Sequence, residues 1–151
     1  MGPIIGDALV ELFEAGHAEL LSLCNELERI ANDLPINADK AACLRLGQTA
    51  AAVTTKAHRL EEDVLFPALL VARPHLRELS AAIERLRLDH RGDDYHAEEV
   101  QDALLALAAG QKQMSADAIG YLLRGFFEGQ RRHVAFEREL ARTSANTATS
   151  L

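Results

Sequence analysis

The apolar residues of this chain recur at alternating steps of four and three, the spacing that places side chains on one face of a helix. In the first segment this stripe contains Phe13, His17, Leu20, Cys24 and Leu27. The pattern predicts a helix that opens near Asp7, whose side chain is able to cap it, and runs to about Asp33 before Pro35 ends it. We therefore expect His17 to face inward.

A second segment predicts another long helix after the turn at Pro35. Asn37 or Asp39 is the expected cap, and Pro67 should kink or end the helix because proline lacks a backbone N–H. Its predicted inward stripe consists of Ala51, Thr55, His58, Glu62, Leu65 and Leu69.

Two more helices complete the pattern. The third is predicted to begin around Pro74, with an inward stripe of Leu76, Leu79, Ile83, Leu86 and His90. The polar run at residues 91–94 breaks this stripe, so we expect local irregularity there before Val100 resumes it. The fourth helix follows a turn at Gly110, with Ser115 as cap, and directs inward Ile119, Leu122, Phe126, His133, Glu137 and Leu140.

Four long helices joined by short turns favour an all-α, antiparallel up-down-up-down four-helix bundle. The length of 151 residues is close to that of a common single domain. We therefore predict one bundle over residues 1–143. The Ser-, Thr-, Ala- and Asn-rich segment 144–151 is predicted to be a disordered tail.

The composition excludes several function classes. A net charge of -7, with Lys and Arg scattered among acidic residues, argues against a nucleic-acid partner. The sequence contains no apolar run long enough to cross a membrane and no signal peptide, so we expect a soluble, cytoplasmic protein that does not bind membranes. Cys24 and Cys43 are expected to be small buried apolar residues, with a redox bond between them left open.

Candidate chemistry comes from the pattern His-x-x-x-Glu, which occurs at His58–Glu62 and again at His133–Glu137. A spacing of four puts both side chains of a pair on one helix face. A single match is weak, since about one is expected by chance in a chain of this composition. The positions of the histidines along the bundle are more informative than the two matches themselves.

Depth in the bundle follows from the distance of each histidine to the connecting turns. With turns near residues 35, 73 and 112, the four stripe histidines lie about 15 to 23 residues from their turns and so share one layer. Buried polar groups without partners cost several kcal/mol each, and metal coordination would supply those partners. Imidazole and carboxylate suit iron, manganese or zinc, and carboxylates bridge ions. The predicted ligands of a two-metal centre are His17, His58, Glu62, His90, His133 and Glu137.

The same residues resemble the hemerythrin-like, or HHE cation-binding, family. The motifs that carry the resemblance lie between about residues 7 and 142 and are Gly16-His17, the run from His58 to Leu65-Phe66-Pro67, Asp89-His90, and His133-Val134-Ala135-Phe136-Glu137. The resemblance implies a non-haem centre of two iron ions that binds dioxygen, or senses oxygen, nitric oxide or redox state, and bacterial members often have no known protein partner.

Two positions depart from the oxygen-carrying members of that family. Those proteins have a fifth histidine four residues after the helix 3 ligand, where this chain has Asp94. Their last carboxylate lies five residues after the histidine, whereas here Glu137 lies at four and Arg138 at five. Reversible oxygen storage is therefore less strongly indicated than metal binding.

Some alternatives for the site stay open. Glu61 competes with Glu62 as the second-helix carboxylate, and we prefer Glu62 because three residues from His58 matches the stripe less well. Asp94 is either an extra ligand or a solvated loop carboxylate. His75 is predicted to lie on the surface, and His96 on the opposite face from His90, so neither joins the predicted site.

Three hypotheses for function follow. The preferred one is a non-enzymatic di-iron protein with dioxygen or nitric oxide as ligand, in which manganese or zinc is an alternative metal. The second is a redox enzyme at the same centre, acting on peroxide, nitric oxide or ferrous iron. The third is a metal-free structural or partner-binding bundle. Ala and Leu residues on helix faces outside the predicted core offer a surface for a homodimer. The sequence identifies no other protein partner.

Overall fold

The computed structural model describes the backbone of residues 2–72 and 77–150, with side chains at residue 8 and over 10–72 and 77–142. A π-helical turn, Glu61–Leu65, joins α2 and α3 into one continuous rod, so the chain forms four long rods. The helices are α1 (Gly2–Asp33), α2 (Lys40–Leu60), α3 (Phe66–Ala72), α4 (Arg77–Ala108) and α5 (Ala116–Ser150).

The four rods pack as a bundle in which α1 lies mainly against α5 and α2 mainly against α4. Lighter contacts between α1 and α2, and between α4 and α5, close the ring. Ion pairs of 2.9 Å between Glu14 and Arg138, and of 3.0 Å between Glu28 and Arg131, show that α1 and α5 run antiparallel. The predicted all-α four-helix bundle is confirmed. Within the described ranges, no helix is long and apolar enough to cross a membrane.

Each helix contributes one buried apolar stripe to a shared core. Fully burying a Leu, Ile or Phe side chain contributes about 1.5–3 kcal/mol, so these stripes supply the main driving force for folding. Representative core residues, each less than 2% exposed, are Leu20, Leu27, Leu65, Phe66, Ile83, Leu104, Leu123 and Phe126. The buried part of α2 instead has small residues, including Gly47 and Ala50, which allow α4 to approach it closely.

Capping side chains set where the later helices begin. Of the two candidate caps, Asp39 is the one used, since its carboxylate accepts from the N–H groups of Ala41 and Ala42 at 3.0 and 3.2 Å. Ser115 caps α5 as predicted, through the N–H of Ala118 at 3.1 Å. Gly110 follows α4 with a φ of 76°, a left-handed conformation that glycine adopts without strain.

Several boundaries differ from those that the sequence predicts. α1 begins at Gly2 rather than near Asp7. α4 passes through residues 91–94 without a break, which overturns the expected irregularity. The reason is that Asp93 and Asp94 are not loop residues but point from a regular helix toward histidines on its neighbours. The predicted start at Pro74 lies outside the described residues.

The C-terminal helix is longer than the predicted bundle. α5 continues to Ser150, past residue 143, where the sequence predicts the beginning of a disordered tail. After Gly129 the sequence has no Gly or Pro that would end a helix. The lack of such residues explains why the helix continues through residues 144–150. The predicted end of the domain at residue 143 stays a prediction.

Two glycines allow a test of how closely the helices pack. A Cβ on Gly47 would lie 2.8 Å from the Leu105 side chain and 3.2 Å from its backbone nitrogen, whereas a Cβ on Gly92 would meet nothing within 4 Å. We expect Gly47→Ala to destabilise the protein by about 1–3 kcal/mol through overpacking. Gly92→Ala, in the interior of α4, should stabilise it by about 0.5–1 kcal/mol. Urea unfolding measures both, and equal stability of the two variants would contradict the close α2–α4 packing.

Candidate metal centre

Four buried side chains, one from each rod, meet at one point in the bundle. They are His17 from α1, Glu61 from the π turn, His90 from α4 and Glu137 from α5, and each is only 1–2% exposed. In Glu61, Oε1 contacts Nε2 of His17 while Oε2 lies 2.6 Å from Nε2 of His90. In Glu137, Oε2 lies 3.2 Å from His17 Nε2 and Oε1 lies 3.6 Å from His90 Nε2. Each carboxylate thus spans the two imidazoles, with one oxygen toward each.

Several atoms of this cluster lack hydrogen-bond partners despite complete burial. They are Glu61 Oε2, His90 Nδ1 and both carboxylate oxygens of Glu137. The short approach of His90 Nε2 to Glu61 Oε2 therefore lacks hydrogen-bond geometry. An unsatisfied buried polar group costs about 1–3 kcal/mol, and a cation between the two carboxylates would remove that cost for the oxygens of Glu61 and Glu137. The donor set fits iron, manganese or zinc and contains no thiolate.

The electrostatics of the cluster reflect buried groups of opposite charge. Burial opposes protonation of His17 and His90, but contacts with Glu137 and Glu61 outweigh it and raise the pKa of each imidazole to about 10. Burial disfavours the Glu61 charge, yet His17 and His90 lower the pKa of Glu61 to about 2. Burial, together with the Glu61 charge, raises the pKa of Glu137. The cluster thus concentrates negative charge on Glu61.

The other two predicted histidines flank this cluster. His58 stacks on His90, with ring centroids 3.9 Å apart and planes within 8°. Its Nδ1–H donates to Asp94 at 2.8 Å, and the Nδ1–H of His133 donates to Asp93 at 2.8 Å. These bonds assign the protons to Nδ1 and leave Nε2 of each ring unprotonated and able to bind a cation. Nε2 of His133 lies 3.9 Å from Asp89 Oδ2. His133 has a 29% exposed side chain and is less buried than predicted.

His17 follows the same arrangement, because its Nδ1–H donates to the Phe13 carbonyl at 2.8 Å. Metal-binding histidines usually have such a partner on the ring nitrogen that faces away from the ion. His17, His58 and His133 all have one. This pattern of outer hydrogen bonds is independent of the carboxylate cluster and points to the same kind of site.

The structure turns Glu61, and not the preferred Glu62, toward the buried histidines. Glu61 is 1% exposed, whereas the Glu62 side chain is 34% exposed. Oε2 of Glu62 lies 3.8 Å from His90 Nδ1. The cause is the phase of α2, whose inward stripe of Ala50, Thr54 and Ala57 continues to Glu61. The π turn lies after this point: the Phe66 N–H donates to the Glu61 carbonyl, and Pro67 has no N–H for the regular bond to the Asp63 carbonyl.

A sequence signal for Glu61 did exist. The buried residues of α2 include Ala50, Thr54 and Ala57, so its inward stripe lies one position before the predicted Ala51 and Thr55. Continued by steps of four and three, that stripe arrives at Glu61. The small size of these residues hides the stripe, since an alanine-rich segment gives little hydrophobic contrast between its faces.

Other titratable residues lie outside this cluster or beyond the described part. His96 Nε2 is 3.3 Å from the Leu122 carbonyl, in the α4–α5 interface. His75 falls outside the described residues. Cys24 and Cys43 are free, buried thiols, and burial raises the pKa of Cys24 to about 11. Sequence reasoning missed Gln130, which is buried and helps to lower the pKa of Asp93. Its position three residues before His133, on the same helix face, was the available signal.

Comparison with known families shows which family the chain belongs to. The sequence matches the hemerythrin HHE cation-binding domain over residues 8–142. The chain belongs to the hemerythrin family. Neither the curated proteins nor the solved structures contain a significant match. The hemerythrin HHE domain is a cation-binding helical bundle, and in this member the donor atoms of His17, Glu61 and Glu137 lie within 4.8 Å of one another.

A matched pair of substitutions tests the inward carboxylate. Glu61→Gln should lose most of the cation affinity, because an amide is a poor ligand, while Glu62→Gln should retain it. At a metal concentration 100 times Kd, binding stabilises the folded state by about 2.7 kcal/mol, or roughly 5–10 °C in Tm for a domain of this size. Thermal unfolding with and without metal measures this gain. Loss of the gain in Glu62→Gln, with its retention in Glu61→Gln, would contradict the structure.

Proposed function

We propose that this hemerythrin-family chain holds two iron ions and binds or senses a small diatomic molecule, dioxygen or nitric oxide. The observation that carries the proposal is the arrangement of Glu61 and Glu137, each of which directs one oxygen to His17 Nε2 and the other to His90 Nε2. Carboxylates in this arrangement suit two neighbouring cations, one near each imidazole.

The proposed ligand set keeps five of the residues that the sequence predicts and exchanges one. Glu61 takes the role expected of Glu62, since its carboxylate lies among the buried imidazoles. The Nε2 atoms of His17 and His90 face the carboxylates directly. Two iron ions would supply electrons to a bound diatomic molecule; manganese or zinc would use the same donors. The ligands are His17, His58, Glu61, His90, His133 and Glu137.

Access from solvent supports a small-molecule ligand. A groove of about 460 Å³ between α4 and α5 reaches His133, the most exposed histidine of the proposed set. The side chains of His17, His58 and His90 are no more than 4% exposed, so the His133 side offers the route to the centre. The groove is lined by Ala81, Ala82, Arg85, Leu86, Asp89, His133 and Phe136.

Metal analysis tests the proposal directly. Protein purified without added metal and reconstituted with ferrous iron should contain about two iron ions per chain, as expected for a dinuclear carboxylate site. Exposure to air should produce visible charge-transfer bands. Glu137→Gln should reduce both signals, while Glu139→Gln, an exposed carboxylate on the same helix, should not. Protein that retains no iron and develops no such bands would rule the proposal out.

A second candidate is redox turnover of a small peroxide, which would reach the same centre through this groove. Steady consumption of peroxide by the reconstituted protein would favour an enzyme, because turnover continues beyond one equivalent. Uptake of dioxygen or nitric oxide that stops at a fixed stoichiometry would favour the first proposal.

Filling the groove tests whether it is the route of access. Ala82→Leu adds bulk to the groove and should slow nitric oxide association with the reduced iron protein several-fold, with little change in iron content. Ala52→Leu places the same side chain on an exposed face of α2 and serves as the control. Stopped-flow absorbance gives both rates. Equal association rates in the two variants would show that the ligand enters elsewhere.

A further inference from the structure

Two consecutive aspartates on α4 reach histidines on two different helices. Asp94 accepts from His58 on α2, and Asp93 accepts from His133 on α5, each at 2.8 Å. Neighbouring residues on a helix point about 100° apart, so two adjacent side chains are able to contact the helices on either side of it. α4 is in contact with both α2 and α5, which makes it the helix from which such a pair reaches both histidines.

These contacts differ from ordinary surface ion pairs. In each pair one side chain is largely buried: Asp93 is 17% exposed beside His133 at 29%, and His58 is 4% exposed beside Asp94 at 40%. Gln130, itself 2% exposed, is a further polar neighbour of Asp93. Burial works against the Asp93 charge, yet the hydrogen bond from His133, with a smaller effect of Gln130, holds the pKa of that carboxyl below its ordinary value. An ionised carboxylate is thus kept inside the bundle by the histidine that it orients.

We propose that Asp93 and Asp94 are positioning residues that fix His133 and His58 as Nδ1–H tautomers with Nε2 turned toward the metal centre. This inference rests on the proposed function, because it assigns a role relative to that centre. A carboxylate on Nδ1–H fixes the plane of the ring and makes the opposite nitrogen a stronger donor. The fold thereby orients histidines from two helices through one short stretch of a third.

The proposal also accounts for the aspartate at the position where oxygen-carrying hemerythrins have a fifth histidine. Asp94 Oδ1 is engaged with His58 Nδ1 at 2.8 Å, so the carboxylate supports a ligand instead of acting as one. A direct ligand would instead have its oxygen among the buried Nε2 atoms. The two roles predict different behaviour of asparagine, since an amide oxygen still accepts from Nδ1–H but is a poor metal ligand.

Zinc is a suitable probe because it is diamagnetic, and nitrogen-15 NMR of the imidazoles identifies which ring nitrogen carries the proton and which binds metal. In the zinc-loaded protein we expect both His58 and His133 to be protonated at Nδ1 and metal-bound at Nε2. Asp94→Ala should remove the protected Nδ1–H signal of His58 alone, and Asp93→Ala that of His133 alone. Chelator competition should show a loss of zinc affinity of about 10–100-fold in each alanine variant.

Asparagine variants and a control complete the experiment. Asp93→Asn and Asp94→Asn keep an acceptor, so they should fold, retain the Nδ1–H signals and lose less affinity than the alanine variants. Asp102→Asn makes the same charge change at an exposed position of α4 and should behave as the wild-type protein. Circular dichroism verifies that each variant is folded before metal is added.

Several results would overturn the inference. Alanine variants with wild-type zinc affinity and unchanged signals would show that the aspartates do not position the rings. Metal bound at Nδ1 would contradict the assigned tautomers. Asp94→Asn as damaging as Asp94→Ala, with the His58 signal intact, would make Asp94 a direct ligand. A wild-type protein that takes up no metal overturns the proposed function as well, whereas the other outcomes leave it standing.

Discussion

The structure depends on two carboxylates held between two imidazoles in the centre of an apolar bundle. Glu61 and Glu137 are both 2% exposed or less, and neither would be stable there as an isolated charge. Their partners come from α1 and α4, so all four rods contribute to one polar cluster. The surrounding leucines and phenylalanines supply the folding energy, whereas this cluster determines how the helices are aligned along their length.

Sequence patterns predicted the fold and the burial of His17 and His90 because both depend on helical periodicity. These two histidines lie on stripes of large apolar residues, where the inward face is unambiguous. The carboxylate of the second rod was harder to place, because α2 is rich in alanine and threonine and its faces differ little in hydrophobicity. The π turn that begins at Glu61 then changes the helical phase of the residues after it relative to an unbroken α-helix, without a distinctive residue pattern.

The aspartates of α4 were misinterpreted for a related reason. A run of charged residues after a buried histidine has the appearance of an exposed break in a helix. In the structure Asp93 and Asp94 are partners of His133 and His58, which belong to other helices and lie far away in sequence. Periodicity within one helix carries no information about hydrogen bonds between helices. Such supporting residues emerge only when the neighbouring helices are assembled.

The π turn also has a consequence for evolution and engineering of this chain. A widened turn is equivalent to one residue inserted into a regular helix, so its deletion would restore an unbroken α-helical frame. The segments on either side of the turn, which carry His58 and Leu69, would keep their inward faces, because the π turn takes up the extra residue without changing their relative phase. A further residue inserted into Glu61–Leu65 would instead rotate the two segments by about 100° relative to one another and turn one of them away from the core. A single deletion in this turn should therefore be better tolerated by the packing of the rod than a single insertion.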